Sequence, residues 1–210
     1  SYVAVRGVSL TLEGLKPQFD AQTSLENLDN AIKTGAEGGW LNMLGTKAGL
    51  EDLIHVKSWK ELKGWVVENW GVVVDAAVKR LGEEVRGELE ALRDKLSDDK
   101  VAREVIAPAH LLIQAERLGV NEMTLRYFAA IISGAISGDG YVSAAMKKVE
   151  LASGEREVAQ LWAATLAAYG IKSEVKRVWS AFTVVASGGG AGGLAGLCFL
   201  YGPPLLEGDD

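Results

Sequence analysis

The order of secondary-structure signals in the last ninety residues constrains the fold most strongly. Asn121 opens a helix of small residues, TLRYFAAIISGAIS, which ends at Gly-Asp-Gly 138–140. Two alternating segments, YVSAAM and KVELAS, come next, then a helix over Glu155–Tyr169, two more alternating segments, IKSEVKRV and SAFTVVAS, and a last apolar helix, LAGLCFLYG. Alternation of apolar and polar residues is typical of half-buried strands. The order helix, two strands, helix, two strands, helix predicts an α+β fold with helices on one face of an antiparallel sheet.

The chain before this region is predicted to be helical. Ser58 and Glu61 form a capping-box pattern before WKELKGWVVENW, and apolar residues at helical spacing predict a helix from Val72 to about Leu96. A third helix is predicted from Ser97 to Arg117, and Pro108 inside it should kink or break it.

The sequence therefore predicts three segments in its 210 residues. Residues 1–45 are a mixed N-terminal segment, residues 46–118 are helical, and residues 119–210 form the α+β domain. With 48% apolar residues and a single cysteine, the chain is expected to fold around a core without disulfides. Neither a signal peptide nor a membrane-spanning run is found, so we expect a cytoplasmic protein without membrane contact.

Charge counts against nucleic-acid binding. The net charge is −6, and from Gly119 onward seven Lys and Arg face nine Asp and Glu. Phosphate contacts depend on clusters of Lys and Arg. Net charge is nevertheless a weak argument, because one face can be basic while the rest of the surface is acidic.

Small residues recur at a spacing of four along the helix that precedes residue 140. Ser133 and Ser137 are four apart, as are Gly134 and Gly138. These residues fall on one helical face and allow a second helix to approach closely. We therefore predict a helix-pair interface at these four positions.

Asp139 lies at the C-terminal end of the same predicted helix. That end carries partial negative charge, which disfavours an exposed carboxylate by roughly 0.3–1 kcal/mol. A bound Mg²⁺ would remove the penalty, and two such helices side by side would bring two carboxylates together for metal-assisted phosphodiester cleavage. The plainer alternative is a common helix C-cap followed by an Asp-Gly turn.

The segment ISGAISGDGYV and the elements after it resemble the LAGLIDADG homing-endonuclease family over about eighty residues. The resemblance implies that Asp139 is the catalytic metal ligand and that Ser133, Gly134 and Ser137 pack the helix pair. The motif departs from the family at Ser137, where an acid is common, and at Ile132 and Ala135, where Leu is usual. Segments such as ASGEREVAQLW and LYGPPLLEGDD also resemble a multicopy paralogous repeat-protein family of hyperthermophilic archaea. That second resemblance implies the same domain and no established activity.

One face of the predicted sheet is the candidate nucleic-acid surface. A two-stranded ribbon can enter a major groove, so this face could straddle a duplex. The alternative is that these are ordinary solvated strand residues. The residues predicted to contact nucleic acid are Tyr141, Ser143, Lys147, Lys148, Lys172 and Lys176.

Only one complete motif lies in the chain, since LAGLCFLYG carries Tyr201 where the acid would stand. A paired-acid site then needs a second copy, so we expect a homodimer and a near-palindromic target. In the alternative, the N-terminal helices cover that face and the protein is an inactive monomer.

A glycine run at residues 188–193 satisfies G-x-G-x-x-G between a strand and a helix. The dinucleotide-binding fingerprint also needs a parallel strand and a further strand ending in an acid, and neither is predicted here. We interpret the run as a flexible loop and expect no nucleotide cofactor.

Three functions stay open on the sequence. The first is a nucleic-acid-binding protein, with duplex DNA expected and RNA as the alternative, that acts as a Mg²⁺-dependent endonuclease. The second is a DNA-binding regulator or structural protein without cleavage. The third is a protein-interaction module built around the helices that carry Trp59, Trp65 and Trp70.

Overall fold

A computed structural model describes residues 59–201, apart from the side chains of residues 123, 137–139 and 199–201. Predictions that concern residues 1–58 and 202–210, including the Ser58 capping box, lie outside these ranges. The helices are α1 (Trp59–Glu68), α2 (Trp70–Leu81), α3 (Arg86–Leu92), α4 (Asp99–Leu118), α5 (Glu122–Asp139), α6 (Arg156–Ala168) and α7 (Gly189–Tyr201). The strands are β1 (Gly140–Ser143), β2 (Lys148–Ser153), β3 (Glu174–Val178) and β4 (Ala181–Ser187).

The middle region is helical, as predicted, but its helices divide differently. The helix predicted over Val72–Leu96 is interrupted at Gly82, whose φ of 103° is easily reached only by glycine. Short 3₁₀ turns over Glu83–Val85 and Arg93–Ser97 flank α3. The cap of α4 is Asp98 rather than Ser97, because its carboxylate accepts from the Lys100 N–H at 2.9 Å. Pro108 does not end α4, which continues to Leu118.

The three tryptophans of the middle region pack inward. Trp70 is buried, and its indole N–H donates to the Leu89 carbonyl at 2.8 Å, which ties α2 to α3. Trp59 and Trp65 are partly buried against the same core. These contacts give the tryptophans a structural role, so they do not favour an interaction module built on them.

The sheet is antiparallel throughout, with strand order β1-β2-β4-β3. Leu151 lies at the centre of the register, opposite Gly140 on β1 and Val184 on β4, and Val184 in turn pairs with Val175 on β3. Directly paired residues share a face of the sheet, and neighbours along a strand alternate between faces. The face that carries Val142, Val149, Leu151, Val184 and Ala186 is buried.

Helices α5, α6 and α7 cover this buried face. The fold is therefore α+β with an antiparallel sheet covered by helices on one face, which confirms the predicted fold class. The start of α5 confirms its predicted N-terminus, since the Asn121 N–H donates to Thr124 Oγ1 at 2.9 Å and the Thr124 N–H donates to Asn121 Oδ1 at 3.0 Å. This reciprocal box satisfies two helix-end donors that have no partner inside the helix.

One hydrophobic core extends across residue 119, the predicted boundary between the helical region and the α+β domain. Thr165 Oγ1 of α6 donates to the Pro108 carbonyl of α4 at 2.9 Å, and the Tyr169 hydroxyl donates to the Leu111 carbonyl at 2.9 Å. The division into domains stays a prediction. None of the helices within residues 59–201 combines the length and the apolar character that crossing a membrane requires.

Two buried tyrosines provide a matched test of polar burial. The Tyr127 hydroxyl has no hydrogen-bond partner within the described residues, whereas that of Tyr169 donates to Leu111. We expect Tyr127→Phe to stabilise the protein by about 1 kcal/mol, because it removes an unsatisfied polar group, and Tyr169→Phe to destabilise it by about 1 kcal/mol. Urea unfolding of both variants measures the difference, and equal effects of the two substitutions would contradict this account.

His110 should make stability depend on pH. Its ring is fully buried, its Nδ1 donates to the Ile106 carbonyl at 2.9 Å, and burial lowers its pKa from 6.5 to about 4. In the unfolded chain the imidazole takes up its proton near pH 6.5, whereas in the folded protein it does so only near pH 4. The contribution of neutral, buried His110 to the free energy of unfolding is therefore complete above pH 6.5 and is lost as pH falls toward 4. The loss reaches about 3 kcal/mol.

The measurement is urea unfolding of wild type and His110→Gln at pH 7 and pH 4. Carboxylates titrate in both proteins, so the difference between their pH dependences isolates the histidine. We expect wild type to lose more stability than the variant over this interval. Parallel pH profiles would show that His110 does not carry the effect.

Candidate nucleic-acid interface

The sheet face opposite α5, α6 and α7, here called the open face, is the candidate surface for a ligand. By the pairing register, it carries the residues that alternate with those facing the three helices. Tyr141 on β1 is 51% exposed and all of β3 is exposed, whereas Thr183 and Val185 on the central strand β4 are buried. The members of the open face are Tyr141, Ser143, Lys148, Glu150, Ala152, Glu174, Lys176, Val178, Ala181, Thr183, Val185 and Ser187.

The two lysines of the open face are each paired with a glutamate on the same strand. Lys148 Nζ lies 3.9 Å from Glu150 Oε1, and Lys176 Nζ lies 3.7 Å from Glu174 Oε2. Surface pairs of this length contribute little to stability, so a phosphate can compete for the lysine. The open face is therefore close to neutral rather than strongly basic.

The other predicted contact residues differ from the expectation. Lys147 lies in the turn between β1 and β2 with a φ of 52°, not on a strand. Ser143 is buried, and its Oγ accepts from the Met146 N–H at 3.1 Å, so it shapes that turn. Lys172 precedes β3 and lines a surface cavity of about 550 Å³ at the edge of the sheet. The strand predicted through Met146 ends at Ser143, which leaves the Met146 side chain 61% exposed.

The sequence analysis missed Trp179. This side chain is 93% exposed at the tip of the β3–β4 hairpin, where the backbone φ is 59°. Val178 pairs with Ala181, so Trp179 and Ser180 form a two-residue loop. The predicted segments IKSEVKRV and SAFTVVAS leave only Trp179 between them, and Trp-Ser is not one of the glycine-containing pairs that mark a two-residue hairpin loop. No local signal therefore identified this tip.

Gly140 joins the motif helix α5 directly to β1. A Cβ at this position would lie 2.6 Å from Ile136 Cα and 2.9 Å from the Glu150 carbonyl oxygen. The Gly140 N–H also donates to the Ile136 carbonyl, which caps the helix. The absence of a side chain therefore brings the end of α5, with Asp139 as its last residue, against β2.

The small-residue face of α5 meets a helix of the same chain. Ser133 is fully buried, and its hydroxyl donates to the Ala129 carbonyl of the same helix at 2.5 Å. Helix α5 packs against α7, where burial raises the pKa of the Cys198 thiol to about 11. Gly134 is buried as well. The predicted close approach of a second helix is thus present at Ser133, but that helix is α7, the apolar helix that we predicted to lie in the core. Pairing between two copies through Ser137 and Gly138 stays a prediction.

Within residues 59–201, a divalent metal finds only part of a ligand set, because no group of three or more His, Cys, Asp or Glu side chains comes together there. Asp139 and the carbonyl oxygens at the end of α5 are hard donors of the kind that Mg²⁺ prefers. Completing an octahedral set would require further oxygens, such as those of water, phosphate or a second copy.

The glycine run does not form the predicted loop. Helix α7 begins at Gly189 and includes most of the run. A Cβ at Gly190 would lie 2.7 Å from the Lys172 carbonyl oxygen, so glycine permits α7 to pass close to the segment before β3. Strand β4 pairs antiparallel with both of its neighbours, so the parallel β-α-β context of the dinucleotide fingerprint is not formed.

The comparisons agree with this architecture. Residues 127–185 match the family model of the LAGLIDADG-like domain. The match covers most of α5, the whole of β1, β2, α6 and β3, and most of β4. Searches among curated proteins and among solved structures found no match. Residues 127–185 are thus similar to the LAGLIDADG-like domain, and the resemblance to the archaeal repeat-protein family has no support from these comparisons.

Substituting Gly140 tests the helix-to-strand junction. We expect Gly140→Ala to destabilise the protein by about 1–3 kcal/mol, because the new Cβ meets backbone that must shift. The matched control is Gly154→Ala, since a Cβ there meets nothing within 4 Å. Thermal unfolding monitored by circular dichroism compares the two variants, and equal stability would show that the junction is not tightly packed.

Proposed function

We propose that this protein binds duplex DNA across the open face of its sheet. The observation that carries the proposal is the match of residues 127–185 to a LAGLIDADG-like domain, together with a four-stranded sheet that packs α5, α6 and α7 on one face and exposes Tyr141 and β3 at the edges of the other. The outer strands of the open face, β1 and β3, are three strand spacings or roughly 14 Å apart, which is wider than the roughly 12 Å major groove. The sheet would therefore lie along a duplex, with its hairpins following the groove.

The electrostatics of the open face support moderate, salt-sensitive affinity. Glu150 and Glu174 compete with phosphate for Lys148 and Lys176, and the chain has a net charge of −6. Each lysine that neutralises one phosphate lowers the slope of log affinity against log salt by about 1. Binding would therefore be strong only at low ionic strength.

The test measures DNA affinity by fluorescence anisotropy over a range of salt concentrations. We expect Lys148→Gln and Lys176→Gln each to weaken duplex binding and to reduce the salt slope by about 1. We expect Glu150→Gln to strengthen binding, because it frees Lys148. Lys79→Gln on the exposed surface of α2 is the matched control and should leave affinity and slope nearly unchanged.

Each outcome of this experiment is informative. If the control changes affinity as much as the open-face variants, DNA is held by overall charge rather than by this face. If the protein binds RNA duplex more tightly than DNA duplex, the proposal that the ligand is DNA is wrong. The proposal that the open face binds the nucleic acid then still holds. If it binds neither at low salt, the proposed function fails.

Strand cleavage in the presence of Mg²⁺ is the second candidate function. It is favoured by the position of Asp139 at the end of the motif helix, within the matched domain. Asp139 would hold the metal, which would supply an activated water and stabilise the charge that develops on the phosphate. A second copy would contribute the other acid, so active protein would be a homodimer.

Cleavage is tested by plasmid nicking with Mg²⁺, using wild type and Asp139→Asn. We expect nicking by wild type, loss of nicking in the variant, and unchanged DNA affinity in the absence of metal. Retained nicking in the variant would point to contaminating nuclease or to another metal site. If wild type binds DNA without nicking it, the protein is a binding regulator or structural protein rather than a nuclease.

A further inference from the structure

The tip of the β3–β4 hairpin carries an aromatic residue that the fold does not explain. Trp179 is 93% exposed, so its ring adds almost nothing to the hydrophobic core. Its φ of 59° lies in the left-handed region, which two-residue hairpin loops normally fill with Gly, Asn or Asp. A bulky residue held there without a packing role is a candidate for function.

The hairpin around Trp179 is basic although the chain is acidic. The segment from Lys172 to Ala181, with both ends included, has three cationic residues and one acidic residue, so its net charge is positive. The whole sequence has a net charge of −6. Every residue of β3 is exposed, and β3 is the edge strand of the sheet. The Arg177 guanidinium lies 5.9 Å from the centre of the Phe182 ring, which keeps this cation beside the tip.

The register places this tip at the same end of the sheet as the end of the motif helix. Gly140, which follows the last residue of α5, pairs with Leu151, and Leu151 pairs with Val184 on β4. The β3–β4 tip follows from Val184 toward Ala181, so it lies at the end of the sheet where α5 ends. Three strand spacings, roughly 14 Å, separate β1 from β3, and Trp179 projects roughly 13 Å further along the strand direction. One nucleic-acid strand that crosses this end of the sheet could reach both features.

We propose that Trp179 is a stacking platform for an unpaired nucleobase, so that the preferred ligand is DNA with a single-stranded or bulged segment next to a duplex. This inference rests on the proposed function and names the form of nucleic acid that the same face selects. An indole ring stacks on any base without reading its sequence, and nearby Lys and Arg hold the backbone. The paired bases of a continuous duplex are stacked on each other and offer no free ring face.

The experiment compares three DNA ligands: a continuous duplex, the same duplex with one unpaired bulged base, and the single strand. Wild type should bind the bulged duplex and the single strand more tightly than the continuous duplex. Trp179→Ala should lose about tenfold affinity for these two ligands, the usual size for one stacked base, and little for the continuous duplex. Trp179→Phe should keep most of the preference, and Trp179→Leu should not.

Two controls separate stacking from general effects. Met146→Ala removes another exposed apolar side chain, in the β1–β2 turn, and should leave all three affinities unchanged. Trp179→Gly should unfold at the same or a higher temperature than wild type, because glycine adopts the left-handed conformation without strain. It should nevertheless lose the same preference as Trp179→Ala.

Three results would overturn the inference. If Trp179→Ala leaves all affinities unchanged while Lys176→Gln weakens them, the duplex-binding proposal stands and the stacking role fails. If Trp179→Ala instead abolishes self-association in gel filtration, the tip is a contact between copies. If wild type binds no DNA but binds phosphatidylserine vesicles through Trp179, the tip is a membrane contact and both proposals fail.

Discussion

The packing of three helices against one face of the sheet is the constraint on which the rest of the structure depends. Val149, Leu151 and Val184 lie on the face that α5, α6 and α7 cover, and the alternation of strand side chains sends their neighbours to the other face. A shift of register by one residue would exchange the two faces and bury Lys148 and Glu150. The same hydrophobic pattern that fixes the core thus also places Tyr141, Lys148 and Lys176 on the opposite face.

The surface so defined has a balanced charge. Lys148 and Lys176 alternate with Glu150 and Glu174 along their strands, so that each cation has an acidic neighbour on its own face. Balanced surface pairs restrain non-specific attraction to phosphate and make affinity depend on contacts other than charge. Under the stacking proposal, the exposed ring of Trp179 would then decide which form of nucleic acid is preferred.

Much of the fold was predictable because its signals are local. The box between Asn121 and Thr124, the end of α6 near Gly170 and the alternation in the four strands depend on neighbouring residues alone. The break at Gly82 was not predicted, although its φ of 103° is a conformation that glycine itself permits. The continuation of α4 through Pro108 was not predicted, because packing against neighbouring elements decides it. Pro108 lies in a buried stretch of α4, where packing can offset the cost of a proline, and its carbonyl accepts a hydrogen bond from Thr165 on α6. The candidate site was predicted in part: Lys148, Lys176 and Tyr141 lie on the open face, whereas Ser143 and Lys147 form the turn beside it.

The sequence by itself determined the element order, the α+β class and the motif helix that ends at Asp139, because hydrophobic period and capping residues are properties of short segments. Only the tertiary structure decided which helix covers Ser133, that the glycine run belongs to α7, and that Trp179 lies exposed at a tip. These outcomes depend on contacts between residues far apart in the chain, such as the approach of Gly190 to the Lys172 carbonyl. No local pattern encodes such a distance, because it is set by how whole elements pack.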